Sequence, residues 1–565
     1  MSKRILVTSA LRYATGPVHI GHIAGAYLPA DIFVRYQRLK GRDVIHIGGT
    51  DDYGVPTVVK SEQDGVTPKE TVDKYNAIIK RCYDGLGIEF DNFSQTSRPL
   101  HNKTAQDFFL RLLERGAISD RETEGLYCPK CGRGLPDRYV EGTCPYPDCG
   151  AAGARGDQCE SCGRWLDATE LIDPACKICG TRPEVRTSRH WFLKLGDFQD
   201  RLKTWIDSHT DWRDNVKHFC HGWFKEGLHD RAVTRDLQWG VPVPLDEAVG
   251  KVLYVWFDAP IGYVSSTKEW AESQGDPESW RKWWMDPETR IVHFIGKDNV
   301  VFHAIVWPAM IMGHGEFELP SDIPANEFMN IMGEKVSSSR NLAIWVDDYL
   351  DEFPPDPLRY YIASNAPETR DADFTWRDFQ ASNNSELADI LGNFVNRSIT
   401  FAAKYFDGSV PQAGTLDAID SEVLAELAAT VEKVGGMLDR FSNRQAVFEM
   451  MNLARCGNKY FNDSEPWKTR KSDPDRCATS INVSLQLCRS LAIVFYPVLP
   501  FSTEKIWRML GCEGSVRDQS WDSAAEPILP AGQKFGEIEV LFSKIDDETV
   551  ARQEEKLATV GVEDE

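Results

Sequence analysis

The sequence predicts an α/β protein in which a doubly wound parallel sheet domain is split by a cysteine-rich insertion and followed by an all-α helix bundle. Short apolar runs alternate with amphipathic stretches at the start of the chain and again near its middle, which is the pattern of parallel βαβ units. Cysteine pairs are concentrated between these two regions. From about Ser385, apolar residues recur with the period of helices almost to the end of the chain.

The first βαβ unit is predicted from "RILVTSA", a buried strand, and "DVIHIGGTDD", a second strand. Between them the loop "RYATGPV" leads into a helix that begins at about His19. After the insertion, "KVLYVWFDAPIGYVSS" and "RIVHFIGKDNVVFHAIVWPAMIMG" predict further strand-to-helix units. Ligands of such sheets bind at the carboxyl ends of the strands, so we interpret the two regions as one split nucleotide-binding domain.

The bundle is predicted from four long helical patterns, which are "SELADILGNFVNRSITFAAKYF", "AIDSEVLAELAATVEKVGGMLDRF", "NRQAVFEMMNLARCGNKYFN" and "DRCATSINVSLQLCRSLAIVFYPVL". Helices of this length joined by short connections pack as a separate domain.

The composition is that of a globular protein, with 42% hydrophobic and 27% charged residues in 565 positions. The start of the chain has no apolar stretch of signal-peptide length, and no apolar run of membrane-spanning length occurs, so we expect a cytoplasmic protein without a membrane partner. The formal charge of -22 argues against non-specific attraction to nucleic acid, so a nucleic-acid partner would need locally basic surface.

Two histidines begin the first predicted helix in "GPVHIGH". His19 and His22 share one helix face, and a helix N-terminus attracts phosphate through its free N–H groups and its dipole. Gly21 between them would let a ligand approach the backbone closely. These residues are therefore predicted to contact a nucleotide phosphate.

A second candidate phosphate contact is the segment "GEKVSSSRN", from Gly333 to Asn341, which follows the apolar run "EFMNIM". A basic, serine-rich loop can hold phosphates, but such loops are more often ordinary solvated connections. This segment alone leaves both interpretations open.

The cysteines are arranged as zinc knuckles rather than as disulfides. Eight of the 14 stand in four short-spaced pairs, and sequences such as "CPKCG" and "CESCG" end in the glycine that frees backbone N–H groups for thiolates. Without a signal peptide, a disulfide cluster is disfavoured. Two sites of four thiolates would be structural, because such a zinc has no open position. The ligands are Cys128, Cys131, Cys144, Cys149, Cys159, Cys162, Cys176 and Cys179.

"HIGH" after the first strand and "EKVSSSR" after the last resemble the paired signatures of class I aminoacyl-tRNA synthetases. Further stretches resemble the methionyl-tRNA synthetases, and the similarity runs from about residue 4 to residue 510. These stretches are "SALRYATGPVHIGH", "GGTDDYG", the paired-cysteine insertion, "YVWFDAPIGY", "FIGKDNVVFHAIVWPAM" and "LGNFVNR".

The resemblance implies a ligase that activates L-methionine with ATP to methionyl-adenylate, releases pyrophosphate, and transfers methionine to the terminal adenosine of tRNA(Met), including the initiator tRNA. Mg²⁺ should accompany ATP and bridge its phosphates. The carboxylate attacks the α-phosphorus in line, so catalysis would consist of positioning and positive charge.

The resemblance also implies site residues. The methionine pocket would be Ala10, Leu11, Tyr13, Asp51, Trp256, Pro260, Tyr263, Phe302, His303 and Trp307, with Asp51 binding the ammonium group. The ATP site would be His19, Gly21, His22, Lys297, Asp298, Lys335 and Ser338. The catalytic residues would be His19, His22, Lys335 and Arg235, the last resembling a family arginine near the reacting groups. Anticodon bases would contact Asn393, Arg397, Pro466 and Trp467.

The family has one-zinc and two-zinc insertions, and eight ligands fit the second. The spacing favours nested sites, Cys144, Cys149, Cys159 and Cys162 inside and Cys128, Cys131, Cys176 and Cys179 outside, with sequential pairing as the alternative.

The resemblance also suggests domain limits and an oligomeric state. The two halves of the nucleotide-binding domain are expected at 1–118 and 231–325, and the insertion between them at 119–230, with the knuckles at 128–179. A stem-contact segment with the phosphate loop should follow at 326–384. The anticodon-binding bundle is expected at 385–530 and a charged tail at 531–565. Because no dimerising C-terminal domain of the kind found in some relatives follows the bundle, we expect a monomer.

Two positions depart from the family pattern. Tyr53 stands where a histidine is common, and Ser338 replaces the second lysine of the usual K-M-S-K-S loop. Losing that cation should cost a few kcal/mol of transition-state stabilisation unless Lys335 or Arg340 compensates. The rival interpretations are a catalytically weak tRNA- or protein-binding relative and a class I synthetase for cysteine, leucine, isoleucine or valine.

Overall fold

The computed structural model describes residues 3–135, 139–156, 159, 161–164, 166–333 and 343–557, together with the backbone of 558–560. The predicted sites at Lys335, Ser338 and Arg340 lie outside the described residues.

The predicted parallel sheet is present. Its strands are all parallel to their neighbours and lie in the order Ala325–Asn326, Thr289–Gly296, Arg4–Ser9, Asp43–Asp51 and Asn92–Gln95, with the short Arg12–Tyr13 paired to the end of Asp43–Asp51. Leu6 and Val7 point to opposite faces and are both fully buried, as expected of a strand covered by helices on both sides. The chain turns to opposite sides of the first strand, which creates a crevice at the carboxyl ends.

Helices cover both faces of this sheet. The helix that carries the two histidines is continuous and contains a π-helical turn: its segments are Ile20–His22, Ile23–Tyr27 (π) and Leu28–Leu39. The remaining helices of the domain are Val55–Asp64, Pro68–Gly85, Pro99–Glu114, Val255–Asp258, Ile261–Ser273, Arg281–Trp284, Phe302–Val306 (π) and Trp307–His314.

The insertion leaves the sheet domain through a long antiparallel hairpin, Ile118–Cys128 with Glu184–Leu193. At its far end a three-stranded sheet, Val140–Thr143, Ala154–Arg155 and Ile172–Cys176, supports the cysteines. These knuckles have a small hydrophobic core of their own, separate from the main core. The other elements of this region are Arg133–Gly134, Gln199–Ser208, Asp214–Glu226, Arg231–Ala232, Thr234–Arg235 and Val252–Leu253.

The second half of the chain is the predicted helix bundle. A connecting region precedes it, with strands Met329–Ile331 and Ala372–Phe374 and helices Val346–Glu352, Pro355–Ser364 and Trp376–Ala381. The bundle helices are Ser382–Gly392 (π), Asn393–Tyr405, Ala418–Asp439, Asn443–Asp463, Pro466–Ser472, Pro474–Phe495 and Pro500–Met509. Pro474–Phe495 has the length and hydropathy of a membrane span, but it is 94% buried inside the protein, as a core helix is.

The charged tail folds back onto the connecting region. Its helix, Asp547–Val560, buries Val550, and Arg552 and Gln553 both donate to a carboxylate oxygen of Glu352 at 2.8 Å. The tail therefore ties the end of the bundle to the helix Val346–Glu352.

Candidate functional site

A cavity of about 440 Å³ opens at the carboxyl ends of the central strands. Nine residues predicted from the sequence line it: Ala10, Leu11, Tyr13, His19, Gly21, His22, Asp51, Trp256 and Asp298. Seven of them precede the insertion, and Trp256 and Asp298 follow it. The cavity is therefore formed where the two halves of the split domain pack against each other.

The two histidines lie against each other at the cavity wall. Their rings are stacked with centroids 3.5 Å apart, and the backbone N–H of His19 donates to Nδ1 of His22 at 3.2 Å. Burial, with the neighbouring Arg12 cation, lowers the pKa of His19 to about 3 and that of His22 well below its ordinary value, where His19 contributes as well. Both imidazoles are therefore neutral at physiological pH and can serve as hydrogen-bond donors rather than as cations.

Gly21 lies directly over the first histidine. A Cβ atom at this position would come within 3.1 Å of the His19 ring, which is closer than a side chain normally packs. Only glycine therefore fits here without moving the ring.

Asp51, at the end of the strand Asp43–Asp51, is a buried carboxylate beside the cavity. It is 2% exposed, and its Oδ1 has no hydrogen-bond partner among the described residues. Burial raises its pKa well above the ordinary value, and the nearby Asp258 and Asp52 raise it further. A buried anion of this kind is costly unless a cation pairs with it, so the site is suited to an ammonium group.

Only part of the predicted aromatic pocket lines the cavity. Trp256 does, and it stacks on Phe302 with centroids 4.1 Å apart, while Tyr13 meets its edge at 6.0 Å. Behind this layer the Tyr263 hydroxyl and Nε2 of His303 are 2.8 Å apart. Burial lowers the pKa of His303 to about 4, so this contact involves a neutral imidazole.

The other two predicted pocket residues lie further back. Trp307 is fully buried in the core, against Phe108 and Trp284. Pro260 precedes the helix Ile261–Ser273.

Two cations that were predicted to act on the substrates are not free in the cavity: Lys297 is already paired with carboxylates, and Arg235 lies elsewhere. Lys297 Nζ bonds to Glu327 at 2.9 Å and to Asp371 at 2.7 Å, and these bonds raise its pKa although burial opposes the charge. Arg235 is outside the cavity; it lies over the ring of Tyr254 at 3.8 Å and lines a separate groove of about 1250 Å³ beside the knuckles.

The structure adds residues that sequence reasoning missed. Arg12, Glu327 and Met329 line the cavity. Arg12 is enclosed next to the histidines, where burial lowers its pKa, and it donates to the carbonyl of Pro17 at 2.8 Å. No local pattern in "SALRYATG" indicates it, because its closeness to the two histidines arises only in the folded chain.

Tyr53, which stands where the family often has a histidine, contacts neighbouring side chains of the protein. Its hydroxyl donates to Oδ1 of Asn102 at 2.7 Å, and its ring meets Trp239 edge-on at 5.2 Å. It does not line the cavity.

Described residues on both sides of the serine-rich segment lie at the cavity. Met329, shortly before the segment, lines the cavity, and Trp345, shortly after it, packs against His19 with ring centroids 5.8 Å apart. The backbone N–H of Ile20 also donates to the carbonyl of Ile344 at 3.1 Å.

The eight cysteines form two tetrads, nested as the spacing favoured. Within each tetrad the sulfur atoms lie within 4.8 Å of one another. The Sγ–Sγ distances are 3.5 Å for Cys128–Cys179, 3.9 Å for Cys131–Cys176 and 3.8 Å for Cys149–Cys159. Sulfur atoms around a tetrahedral zinc, each at about 2.3 Å, are separated by about 3.8 Å. The donor sets therefore fit zinc.

Three of the four predicted anticodon-binding residues of the bundle reach the surface, and the fourth, Pro466, is buried. Arg397 lies over the ring of Phe461 at 4.6 Å and donates to Oδ1 of Asn462 at 2.9 Å, while Asn393, one helical turn earlier, is exposed. Trp467 is 44% exposed beside Phe461, and Pro466 begins its helix and is buried. An exposed indole next to an amide and a guanidinium has the chemistry needed to bind unpaired bases.

Two family models match the chain. The model for class I tRNA synthetases (M) matches residues 5–399, and the model for the anticodon-binding domain of methionyl tRNA ligase matches residues 410–562.

Known proteins are similar over nearly the whole chain. The methionine–tRNA ligase of Porphyromonas gingivalis is 51% identical over 98% of this chain and 81% of its own length, and that of Chlorobaculum tepidum is 48% identical over 100% and 82%. Among solved structures, Mycobacterium tuberculosis methionyl-tRNA synthetase in complex with methionyl-adenylate is 26% identical with a TM-score of 0.80, covering 96% of this chain and 99% of that one.

Proposed function

The chain belongs to the methionyl-tRNA synthetases of class I, and from this premise we propose that its cavity is the place where methionine and ATP react. The family reaction activates L-methionine with ATP to methionyl-adenylate, releases pyrophosphate, and then transfers methionine to the 3′-terminal adenosine of tRNA(Met). The observation that carries the assignment of the site is Oδ1 of Asp51, a buried carboxylate oxygen at the cavity wall that has no hydrogen-bond partner among the described residues.

In this proposal Asp51 binds the ammonium group of methionine. The pair gives the free oxygen of this buried carboxylate a charge-assisted hydrogen bond, which favours binding and orients the substrate carboxylate. Trp256, Tyr13 and Leu11 surround the thioether, for which polarisable aromatic contacts are suitable. Phe302, Tyr263 and His303 support Trp256 from behind, with Pro260 and Trp307 deeper in the wall.

ATP would lie along the start of the histidine helix. His19 and His22 donate to phosphate oxygens as neutral imidazoles, and Gly21 and Asp298 complete this side of the site. No protein nucleophile is needed, because the methionine carboxylate attacks the α-phosphorus itself. The protein contributes alignment of the reacting atoms and donors aimed at the developing charge.

The remaining positive charge would come from Lys335 of the serine-rich segment, with Arg340 as the alternative cation, and from Lys297 and Arg235 once substrates rearrange their present contacts. Ser338 would contribute a neutral hydroxyl that donates to a phosphate oxygen. Mg²⁺ would accompany ATP, held mainly by phosphate oxygens.

We propose that the two tetrads hold one structural zinc each. With four thiolates per ion there is no open coordination position, so the metal would organise the insertion and take no part in the reaction.

For the tRNA, we propose that Asn393, Arg397, Pro466 and Trp467 contact the anticodon of both elongator and initiator tRNA(Met). We further propose a cytoplasmic monomer with the domain limits given above.

The test is ATP–pyrophosphate exchange with each amino acid in turn. We expect exchange only with methionine and close analogues. Exchange that is stronger with leucine, isoleucine, valine or cysteine would overturn the assignment, and its absence with every amino acid would favour a tRNA-binding relative without activity.

A further inference from the structure

Arg213 joins three parts of the molecule at one point. It precedes the helix Asp214–Glu226, and its Nη1 donates to Oδ1 of Asn326 at 2.7 Å and to the carbonyls of Ala325 at 3.1 Å and Glu368 at 3.3 Å. Its Nη2 donates to the carbonyl of Phe441 at 2.7 Å. The four acceptors come from the end of a sheet strand, from the connecting region and from the bundle.

The bundle side of this contact is a strained turn. Phe441 has a φ of 59°, which is unfavourable for a bulky residue, and its ring packs against Phe33 and Phe294 of the sheet domain. The carboxylate of Glu368 accepts from the next backbone N–H groups, at 2.6 Å from Asn443 and 3.3 Å from Arg444. The N-terminus of helix Asn443–Asp463 is therefore fixed onto the sheet domain from outside the bundle.

That helix ends at the proposed anticodon contacts. Phe461 and Asn462, in its last turn, are the residues that Arg397 touches, and Trp467 lies beside Phe461. A helix of 21 residues is about 30 Å long, so one rigid element extends from the Arg213 contact to the proposed anticodon surface.

The other side of Arg213 leads to the cavity. Asn326 accepts from Arg213 through Oδ1 and donates through Nδ2 to the carbonyl of Ala24 at 2.8 Å. These two partners fix the orientation of its amide, because the reversed orientation would place its NH₂ group against the guanidinium. Ala24 belongs to the π turn Ile23–Tyr27, directly after His22. A π turn interrupts the ordinary helical ladder, and the Asn326 amide supplies a donor there.

We propose that Arg213 is a positioning residue that couples the seating of helix Asn443–Asp463 to the placement of the histidine helix, so that a tRNA bound at the anticodon surface raises turnover in the cavity. The proposal rests on the proposed function of both sites. The coupling runs from the Phe441 carbonyl through Arg213 and Asn326 to the Ala24 carbonyl, and each step is a hydrogen bond of 2.7–2.8 Å.

The experiment measures kcat and KM of tRNA charging in the full chain for Arg213→Met, which keeps an unbranched apolar stem but removes the guanidinium and its donors. We expect kcat to fall by about 5- to 150-fold, the usual range of coupling between sites, while KM for tRNA stays within about twofold. Lys217→Met, one turn further along the same helix, is the matched control, because the Nζ of Lys217 donates to the carbonyl of Thr210 instead of to these acceptors. This variant should leave both constants unchanged.

Two further measurements separate coupling from loss of structure. Asn326→Asp keeps the acceptor for Arg213 and loses the donor to Ala24, so it should reproduce the fall in kcat with a nearly unchanged thermal midpoint. In the Arg213→Met background, Trp467→Ala should lower kcat less than it does in the wild type, because the link between the two sites is already broken.

A rise in KM for tRNA without a fall in kcat, or independent effects of Arg213→Met and Trp467→Ala that multiply, would overturn the proposal. Failure of the proposed function is distinguishable from this, because it would appear as a wild-type protein without methionine-dependent exchange.

Discussion

Asp31 and Arg359 form a buried ion pair, with Oδ2 and Nη2 2.6 Å apart, although they are 328 residues apart in the chain. Arg35 donates to the same oxygen at 2.9 Å. Arg359 also donates to the carbonyls of Leu86, Pro497 and Val498, so four of its five N–H donors have partners inside the protein. The pair joins the histidine helix to the connecting region, and the carbonyls of Pro497 and Val498 extend this contact to the bundle.

Asp31→Asn should destabilise the protein strongly. Removing the negative charge leaves the buried guanidinium of Arg359 without a counter-ion, and breaking one partner of a buried pair costs about 3–5 kcal/mol. The thermal unfolding midpoint, measured by calorimetry, should fall by several degrees. Asp64→Asn is the control, because it breaks the partly exposed Lys60–Asp64 pair, where about 0–1 kcal/mol is expected. Equal effects of the two substitutions would contradict this prediction.

The same pair predicts acid sensitivity. Burial opposes ionisation of Asp31, but Arg35 and Arg359 outweigh it and hold its pKa below the ordinary value of 3.8. Its contribution to stability is therefore complete above the unfolded-state pKa and is lost as the pH falls through the lower folded-state pKa. Between pH 5 and pH 3 the thermal unfolding midpoint of the wild type should fall more than that of Asp31→Asn. If the midpoints of the two proteins fell in parallel with pH, Asp31 would not be the source of the acid sensitivity.

Asp51 predicts the pH dependence of methionine binding. Because burial, Asp258 and Asp52 raise its pKa in the free protein, it loses its charge at a higher pH than an ordinary aspartate does. As the pH falls through that pKa, the anion that binds the ammonium group disappears and KM for methionine should rise, while KM for ATP should change less. Exchange kinetics between pH 8 and pH 5 would show this.

Asp51→Asn is the matching variant. It should raise KM for methionine by about 10- to 150-fold, the equivalent of a hydrogen bond to a charged group, and flatten the pH dependence. A variant with unchanged KM would place the ammonium group elsewhere.

The nested tetrads predict two zinc ions per chain. Metal analysis of the purified protein should give two, and Cys144→Ser should lower the count to one while the Cys128 tetrad stays loaded. One zinc per wild-type chain would contradict the two-site proposal. Cys220→Ser, at a buried cysteine outside both tetrads, is the control and should retain two ions.

Trp467→Ala should impair charging of tRNA far more than exchange, because its exposed indole lies with Arg397 and Asn393 and away from the cavity. Loss of one stacked base costs about 1–3 kcal/mol, or about 5- to 150-fold in kcat/KM for tRNA. Trp467→Phe keeps a stacking surface and should recover much of the loss. Equal losses in charging and exchange would refute the anticodon role.

Lys335→Ala and Arg340→Ala identify the cation that compensates for Ser338. If Lys335 neutralises the leaving pyrophosphate, its replacement should remove a few kcal/mol of transition-state stabilisation. The kcat of exchange should then fall accordingly, while KM for methionine changes little. An unchanged kcat would assign the charge to Arg340, which the second variant tests directly. Ser338→Lys, which restores the family pattern, should then rescue Lys335→Ala in part.

The sequence predicted the sheet, the insertion and the bundle because each has a strong periodic or spacing signal. It also predicted Asp51 and the histidine pair at the cavity, since strand ends and helix starts converge there. It could not predict Asn326, because the contacts that make it important, with Ala24 and Arg213, join residues that are distant in the chain. It could not predict Arg12 either, because its place beside the two histidines depends on the fold. Similarly, the ion pairs of Lys297 with Glu327 and Asp371 could not be predicted, because these residues come together only in the folded chain.

The nested order of the tetrads has a consequence for how such insertions can change over evolutionary time. Val140 is paired with Cys176 and Thr143 with Ile172. The inner tetrad, which begins at Cys144 and ends at Cys162, therefore lies entirely within the loop that these two paired strands close. A single deletion between these strands would remove four ligands at once and leave a simple hairpin that still presents the other four. With sequential pairing, the same deletion would damage both sites. Gain or loss of the inner ion can thus occur in one genetic step.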